Sequence, residues 1–185
     1  MRRDPGTVLD EWLVALAKGG SALALGQLVT RWSPRLLRHA SRLLGDMDQA
    51  QDAVQDAWVG AARGLRGLED PARFPAWMFA LVSRRCADRV RRAVRDRRLA
   101  VEVQGLGGPR AEVSGADQRL DLSQAVAGLP VEQRLVVSLH YGEGLGIDEI
   151  AAAHGLPPGT VKSRLFAARQ TLKRFLEGDD HDDHR

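Results

Sequence analysis

The 185-residue chain has one cysteine, one tyrosine and few aromatics of any kind. A lone Cys86 excludes an internal disulfide and any Cys-rich zinc site, so a buried structural thiol is its expected role. No apolar stretch approaches the ~20 residues needed to span a bilayer. The N-terminus, Met1-Arg2-Arg3-Asp4-Pro5-Gly6, leads into an amphipathic segment interrupted by Asp10, Glu11 and Lys18, not a signal-peptide core. A cytoplasmic protein without membrane insertion is therefore expected. Catalytic signatures are missing as well: there is no Gly-x-x-x-x-Gly-Lys loop, no Gly-x-Ser-x-Gly turn and no His-Glu-x-x-His pair. His39, His140 and His154 are scattered, and His181 and His184 sit among Asp179, Asp180, Asp182 and Asp183, which read as an acidic tail. The chain is expected to be no enzyme and to need no cofactor and no metal.

What is present is apolar periodicity and segregated charge. Apolar residues make up 44% of the chain, enough to bury the core of one ordinary domain or two small ones. The net charge is only +3, but eight arginines crowd Arg84–Arg98 against Asp88 and Asp96. Acids gather instead at Asp46–Asp56 and Glu177–Asp183. Separate basic and acidic surfaces point to different partners.

Neither strand alternation nor an internal repeat is present, and almost every segment carries helical spacing. Val8–Ala17 reads as a short amphipathic helix with Leu9, Trp12, Leu13 and Leu16 at that spacing. Ala22–Leu44 follows, with a bend or restart expected at Ser33-Pro34 because proline disrupts a helix interior. Gly45 should end it, and Asp46 or Asp48 should cap the next helix. In that helix Ala50, Ala53, Val54, Ala57, Trp58, Ala61, Ala62 and Leu65 share one face, and Gln51, Asp52, Gln55 and Asp56 the other. After the loop Arg66–Pro71, a helix with Trp77, Met78, Leu81 and Val82 inward runs into the arginines. The helical signal fades from about Arg97 to Asp117, where Gly105, Gly107, Gly108, Pro109 and Gly115 mark a linker. Helices resume at Gln118–Ala127 and again from Leu129-Pro130, the latter carrying Leu135, Val136, Leu139 and Tyr141.

The segment from Gly146 to Leu165 writes two short helices around a tight turn. Ile147, Ile150 and Ala151 share one face of the first, Gly155 supplies the stop, and Pro158 can open the second because its missing N–H has no intrahelical partner. The second helix should turn Val161, Leu165, Ala168, Leu172, Phe175 and Leu176 inward, leaving Thr160, Lys162, Ser163, Arg164, Arg169, Lys173 and Arg174 outside. A basic outer face after a glycine turn is the layout of a helix-turn-helix DNA reader. Helical pairs with a glycine turn are also common in bundles, so layout alone leaves both readings open.

Three motifs taken in order narrow the choice. They are Asp48-Gln49-Ala50-Gln51-Asp52-Ala53-Val54-Gln55-Asp56-Ala57-Trp58; Phe74-Pro75-Ala76-Trp77-Met78 followed by Asp88 and arginines; and Leu129-Pro130-Val131-Glu132-Gln133-Arg134, continued by Asp148-Glu149-Ile150-Ala151 and Gly159-Thr160-Val161-Lys162-Ser163-Arg164-Leu165. In this order, over most of residues 8–176, the chain resembles bacterial sigma factors of the extracytoplasmic-function (ECF) group of the sigma-70 family. The resemblance implies an all-α protein of two small helical domains joined by a flexible linker. Sigma region 2 would occupy residues 1–96, the linker 97–117, sigma region 4 with its helix-turn-helix 118–178, and a disordered tail 179–185.

It further implies binding to core RNA polymerase, through the clamp helices of the largest subunit and the flap, and promoter-specific initiation. The core-binding residues would be Gln51, Asp52, Gln55 and Asp56. The −10 element would be bound and melted by Arg73, Arg84, Arg85, Arg89, Arg91, Arg92 and Arg95, with the loop Leu68–Arg73 lining a pocket for an extruded base. Trp77 looks like a melting aromatic, yet its spacing with Leu81 favours the core. The −35 element would be read in the major groove by Thr160, Lys162, Ser163, Arg164, Phe166 and Arg169. Promoter DNA and an anti-sigma factor are the further partners the family implies. Two positions depart from its pattern: Arg84 stands where many members have Asn, and Ala167 where many have Arg. Promoter elements about 25 base pairs apart lie roughly 80 Å apart at ~3.4 Å per step, and a stretched linker of about 20 residues reaches up to ~70 Å. With the width of each domain added, both could dock at once. The competing readings are a polymerase-independent helix-turn-helix regulator and a helical interaction protein such as an anti-sigma regulator.

Overall fold

The computed structural model describes residues 5–104 and 122–178, and among these the chain is helical throughout, with no strand. Helices α1 (Pro5–Lys18), α2 (Ala22–Leu44), α3 (Met47–Gly64) and α4 (Phe74–Gln104) form the N-terminal unit. Helices α5 (Leu122–Ala127), α6 (Val131–Val137), α7 (Ile147–His154) and α8 (Pro158–Gly178) form the C-terminal one, with a π-helical turn Ser138–Gly142 continuing α6. The helix boundaries follow local chemistry. Ser21 Oγ accepts the Ala24 N–H at the start of α2, and Asp46 accepts the Gln49 N–H at 3.1 Å at the start of α3. Gly45 and Gly155, at φ of 71° and 65°, end α2 and α7 in the left-handed conformation that a side chain disfavours.

The N-terminal core is a stack of aromatics between α2 and α4. Trp32 meets Phe74 and Phe79 edge-on at 5.4 and 6.1 Å between ring centroids, with Leu28, Leu36, Met78 and Val82 packed around them. The alanines Ala50, Ala53, Ala57 and Ala61 let α3 approach closely, and all four are buried. In the C-terminal unit Val136, Leu139, Ile150, Val161, Leu165 and Ala168 form the buried centre.

Several expectations are corrected. Pro34 does not restart the chain as a second helix: α2 is continuous from Ala22 to Leu44 with Pro34 inside it, on the exposed side. Buried Leu28, Trp32 and Leu36 flank the proline and hold both halves on one core, which outweighs a single lost backbone bond. On α1 the buried residues are Leu13 and Val14, while Leu9, Trp12 and Leu16 are 40, 57 and 39% exposed. The helix packs against α2 and the 3-10 turns Leu65–Gly67 and Pro71–Arg73, and part of its apolar stripe stays uncovered. Phe175, expected inward, is 46% exposed, and Tyr141 on the π-helical turn is 58% exposed. Helix α4 continues through Gln104, eight residues beyond the expected end of region 2, because no glycine or proline occurs before Gly105. Most of the linker, the start of α5's expected range and the acidic tail lie outside the described residues.

The two units pack on each other. The His39 Nδ1 and Ser138 Oγ atoms are 2.9 Å apart across their boundary. Arg35 and Arg42 of α2 both reach Glu143, at 3.1 and 3.4 Å.

Candidate nucleic-acid interface

Helix α3 separates its faces cleanly: with the alanine stripe buried, Gln51, Asp52, Gln55 and Asp56 stand exposed in one patch. Arg89 of α4 reaches across to that patch, 3.3 Å from Asp52 and 3.1 Å from Asp56. A residue expected to touch DNA is thus tied to two residues expected to touch a protein. Arg85 leans the same way, its guanidinium 3.4 Å from where a Cβ on Gly60 would stand. The remaining arginines follow a second stripe at helical spacing: Arg84, Arg91, Arg92 and Arg95 are all exposed. Asp88 lies in that stripe and pairs with Arg91 at 2.5 Å. The α4 arginines up to Arg95 therefore form two rows, one facing α3 and one facing outward.

Arg73 sits on the short 3-10 turn Pro71–Arg73, exposed, with Asp70 capping the turn by accepting the Ala72 N–H at 2.9 Å. Leu68 is buried in the core and its carbonyl accepts from Lys18 Nζ, so the expected pocket loop is anchored at its first residue. Trp77 is half-buried, against Gly64 and 6.2 Å from the Phe74 ring, in keeping with a core role. Cys86 is buried, and burial pushes its thiol up to about 12.

In the C-terminal unit α7, the Gly155 turn and α8 form the expected helix-turn-helix. Glu149 accepts the Gly146 N–H at 2.7 Å, which fixes the start of α7. Pro157 O accepts the N–H groups of Thr160 and Val161 at the start of α8. Lys162, Ser163, Phe166 and Arg169 are exposed along α8, Phe166 by 58%. Thr160 is half-buried, its carbonyl accepting from Ser163 Oγ at 3.0 Å. Arg164 is held: its guanidinium lies 2.5 Å from Glu132 of α6, with only 24% of the side chain exposed. The third motif has a structural role here, for Glu132 fastens α8 while Arg134 gathers carbonyls. Arg134 donates to Ala127 O and to Leu129 O at 3.0 Å, and across the boundary to Leu43 O at 3.1 Å. It thereby sets a cation on the C-terminal end of α2.

Sequence reasoning missed His39. It is fully buried between Ser83, 2.9 Å from Nε2, and Ser138, 2.9 Å from Nδ1. Ser83 spends its own proton on Phe79 O at 2.7 Å, so it must accept from His39 Nε2–H. Nδ1 is then the acceptor, and Ser138 donates to it. Burial first, then His154 and Arg42, push His39 down to about 3, which keeps this neutral tautomer. The only available signal was a histidine on the inward face of α2.

The layout matches known proteins over both units. Residues 28–96 match the family model "Sigma-70 region 2" and residues 119–172 the model "Sigma-70, region 4". The ECF RNA polymerase sigma factor SigM of Mycobacterium tuberculosis is 34% identical, over 90% of this chain and 84% of its own length. The chain belongs to the ECF group of sigma-70 factors. SigL of the same species, also an ECF sigma factor, is 33% identical to this sigma factor over 89% of the chain and 95% of its own length. In three dimensions it is similar to CnrH solved with the cytosolic domain of CnrY (TM-score 0.67, 29% identity, 92% and 99% coverage). It is also similar to the Bartonella quintana sigma factor RpoE solved with the anti-sigma factor NepR (TM-score 0.62, 25% identity, 82% and 96% coverage).

Proposed function

We propose that this ECF sigma factor binds core RNA polymerase through Gln51, Asp52, Gln55 and Asp56 and directs initiation at promoters read by α4 and α8. The observation that carries the reading is the pair of exposed surfaces, one polar and acidic on α3 and one basic on α8, each inside its own sigma region. An acidic face suits a basic partner surface, and rim charges of this kind mainly set association rate and specificity. The outward row Arg84, Arg91, Arg92 and Arg95, with Arg73 at its head, serves as the phosphate track for the −10 element. Lys162, Ser163, Phe166 and Arg169 face the −35 element, where a good bidentate base contact supplies roughly 1–3 kcal/mol of discrimination. Arg164, fastened to Glu132, supports the helix and Thr160 tightens its first turn; Ala167 offers no charged contact. Region 2 is assigned to the N-terminal unit and region 4 to residues 118–178. The role is non-catalytic and is exercised where polymerase and DNA are, in the cytoplasm. CnrH and RpoE were solved with CnrY and the anti-sigma factor NepR respectively, which supports an inhibitory protein partner here as well.

Run-off transcription with purified core polymerase tests the reading: the sigma factor alone should confer initiation at a discrete promoter. Asp56→Lys should weaken binding to core about tenfold while leaving helix content unchanged. Its pair with Arg89 is exposed, and such a pair contributes about 0–1 kcal/mol to folding. Tight binding to a palindromic duplex without any initiation would instead establish a polymerase-independent regulator.

A further inference from the structure

Arg85 and Arg89 stand apart from the outward row of α4 because both face α3. The two helices run antiparallel at this contact. Arg89 meets Asp52 and Asp56, while Arg85, one turn earlier on α4, lies beside Gly60, one turn further along α3. Arg89 donates from Nη1 to Asp52 Oδ2 at 3.3 Å and from Nη2 to Asp56 Oδ2 at 3.1 Å. Its side chain is only 24% exposed, whereas those of Asp52 and Asp56 are 64 and 58% exposed. One guanidinium thus lies down between two carboxylates that remain open to solvent. A fork of N–H donors spanning two carboxylates is the arrangement that a docking partner's cation would itself make.

The order of the two carboxylates owes little to Arg89. Aspartate stems are short, and α3 already sets residues four apart on one face. What Arg89 changes is charge: the two carboxylates alone carry −2, and with the guanidinium seated the cluster carries −1. A basic surface approaching this face meets a weaker field and must displace Arg89 or share its acceptors. We propose that Arg89 is an internal competitor for the polymerase-binding face. It occupies the seat that a cation of the partner takes on docking, and thereby sets the affinity and selectivity of that contact. This rests on the assignment of Gln51, Asp52, Gln55 and Asp56 to core binding. The seat can be vacated because an exposed ion pair is nearly balanced by hydration of its members. A weakly basic surface lacks the potential to displace Arg89, so the face rejects poor partners. Arg89 therefore acts on the polymerase side of region 2, although its place in the arginine run suggests the −10 track.

The test is the kinetics of the full-length chain on immobilised core polymerase. Arg89→Gln removes the charge and keeps part of the aliphatic stem. It should bind core about two- to fivefold more tightly, mainly through faster association. The gain should be present at ~50 mM salt and lost at ~1 M, where the Debye length is about 3 Å. Arg89→Lys, which keeps the cation, should stay within about twofold of the unchanged chain. In a background carrying Asp52→Asn and Asp56→Asn, Arg89→Gln should have no effect, because the seat it competes for is gone. Should Arg89→Gln melt early, Arg89→Met fills the same space without charge and decides in its place. Unchanged core affinity would overturn the competitor. Weaker core binding would also overturn it, by making the arginine an organiser of the face. Asp56→Lys separates this inference from the reading beneath it. If that variant binds core normally, the face is misassigned and the competitor falls with it; a weakened Asp56→Lys beside an unaltered Arg89→Gln sinks the competitor alone.

Discussion

His39 shows how much one residue can settle. It is neutral because Ser83 can only accept and Ser138 only donate, and its burial leaves no room for a second ring proton. The unfolded chain takes up that proton at the ordinary value of 6.5, whereas the folded chain resists it down to about 3. The stabilising difference is therefore fully present above pH 6.5 and drains away as pH falls towards 3, by about 1.4 kcal/mol per unit. His154 adds in the same direction: burial, then Arg84 and Arg164, lower it to about 4. Arg35, Arg42, Arg84, Arg134, Arg164, Glu143 and the two histidines are among the charged or protonatable groups gathered at this boundary, so acidification acts on several elements at once. Urea unfolding at pH 7.5 and 5.5 should show a loss of about 1–3 kcal/mol, and His39→Leu should flatten that dependence. An unaltered slope in the variant would place the titrating group elsewhere.

At the scale of the element, two substitutions probe how the helices are set. Asp46→Ala removes the acceptor for Gln49 N–H and should cost about 1 kcal/mol. Pro34→Ala restores a backbone donor inside α2 and should raise stability by about 1–3 kcal/mol. Chemical denaturation at neutral pH checks both, and a destabilised Pro34→Ala would show that the proline's shape is matched by its surroundings. The helices themselves were legible in the sequence wherever apolar spacing had one meaning, as on α3, where alanines and acids alternate at helical period. The helix-turn-helix was legible from Gly155 and Pro158. What spacing could not convey is which apolar face finds a neighbour: Trp12, Tyr141 and Phe175 keep helical register yet stay exposed. Nor could it show that Arg89 would turn towards Asp52 and Asp56, since those residues lie more than thirty positions apart and meet only once α3 and α4 pack.

The whole molecule joins its two helical units through a boundary that holds buried polar groups. Hydrogen bonds to His39, Glu143 and Arg134 are directional, so they specify one arrangement of the domains, and they can be exchanged for water when the domains part. An apolar boundary of the same extent would resist such exchange. In a promoter-binding assay Lys162→Ala or Arg169→Ala should each weaken −35 binding about tenfold without changing the domain separation; Arg164→Ala should also lower the stability of region 4, because Glu132 loses its partner. Equal loss of stability in all three would assign the whole row to the scaffold. Cys86, finally, gives the molecule an internal clock. Buried inside α4 with its thiol driven up to about 12, it is shielded from alkylating reagents in the native fold. Each labelling event at neutral pH therefore requires an opening of the N-terminal unit, so the labelling rate reports how readily α4 exposes its buried face.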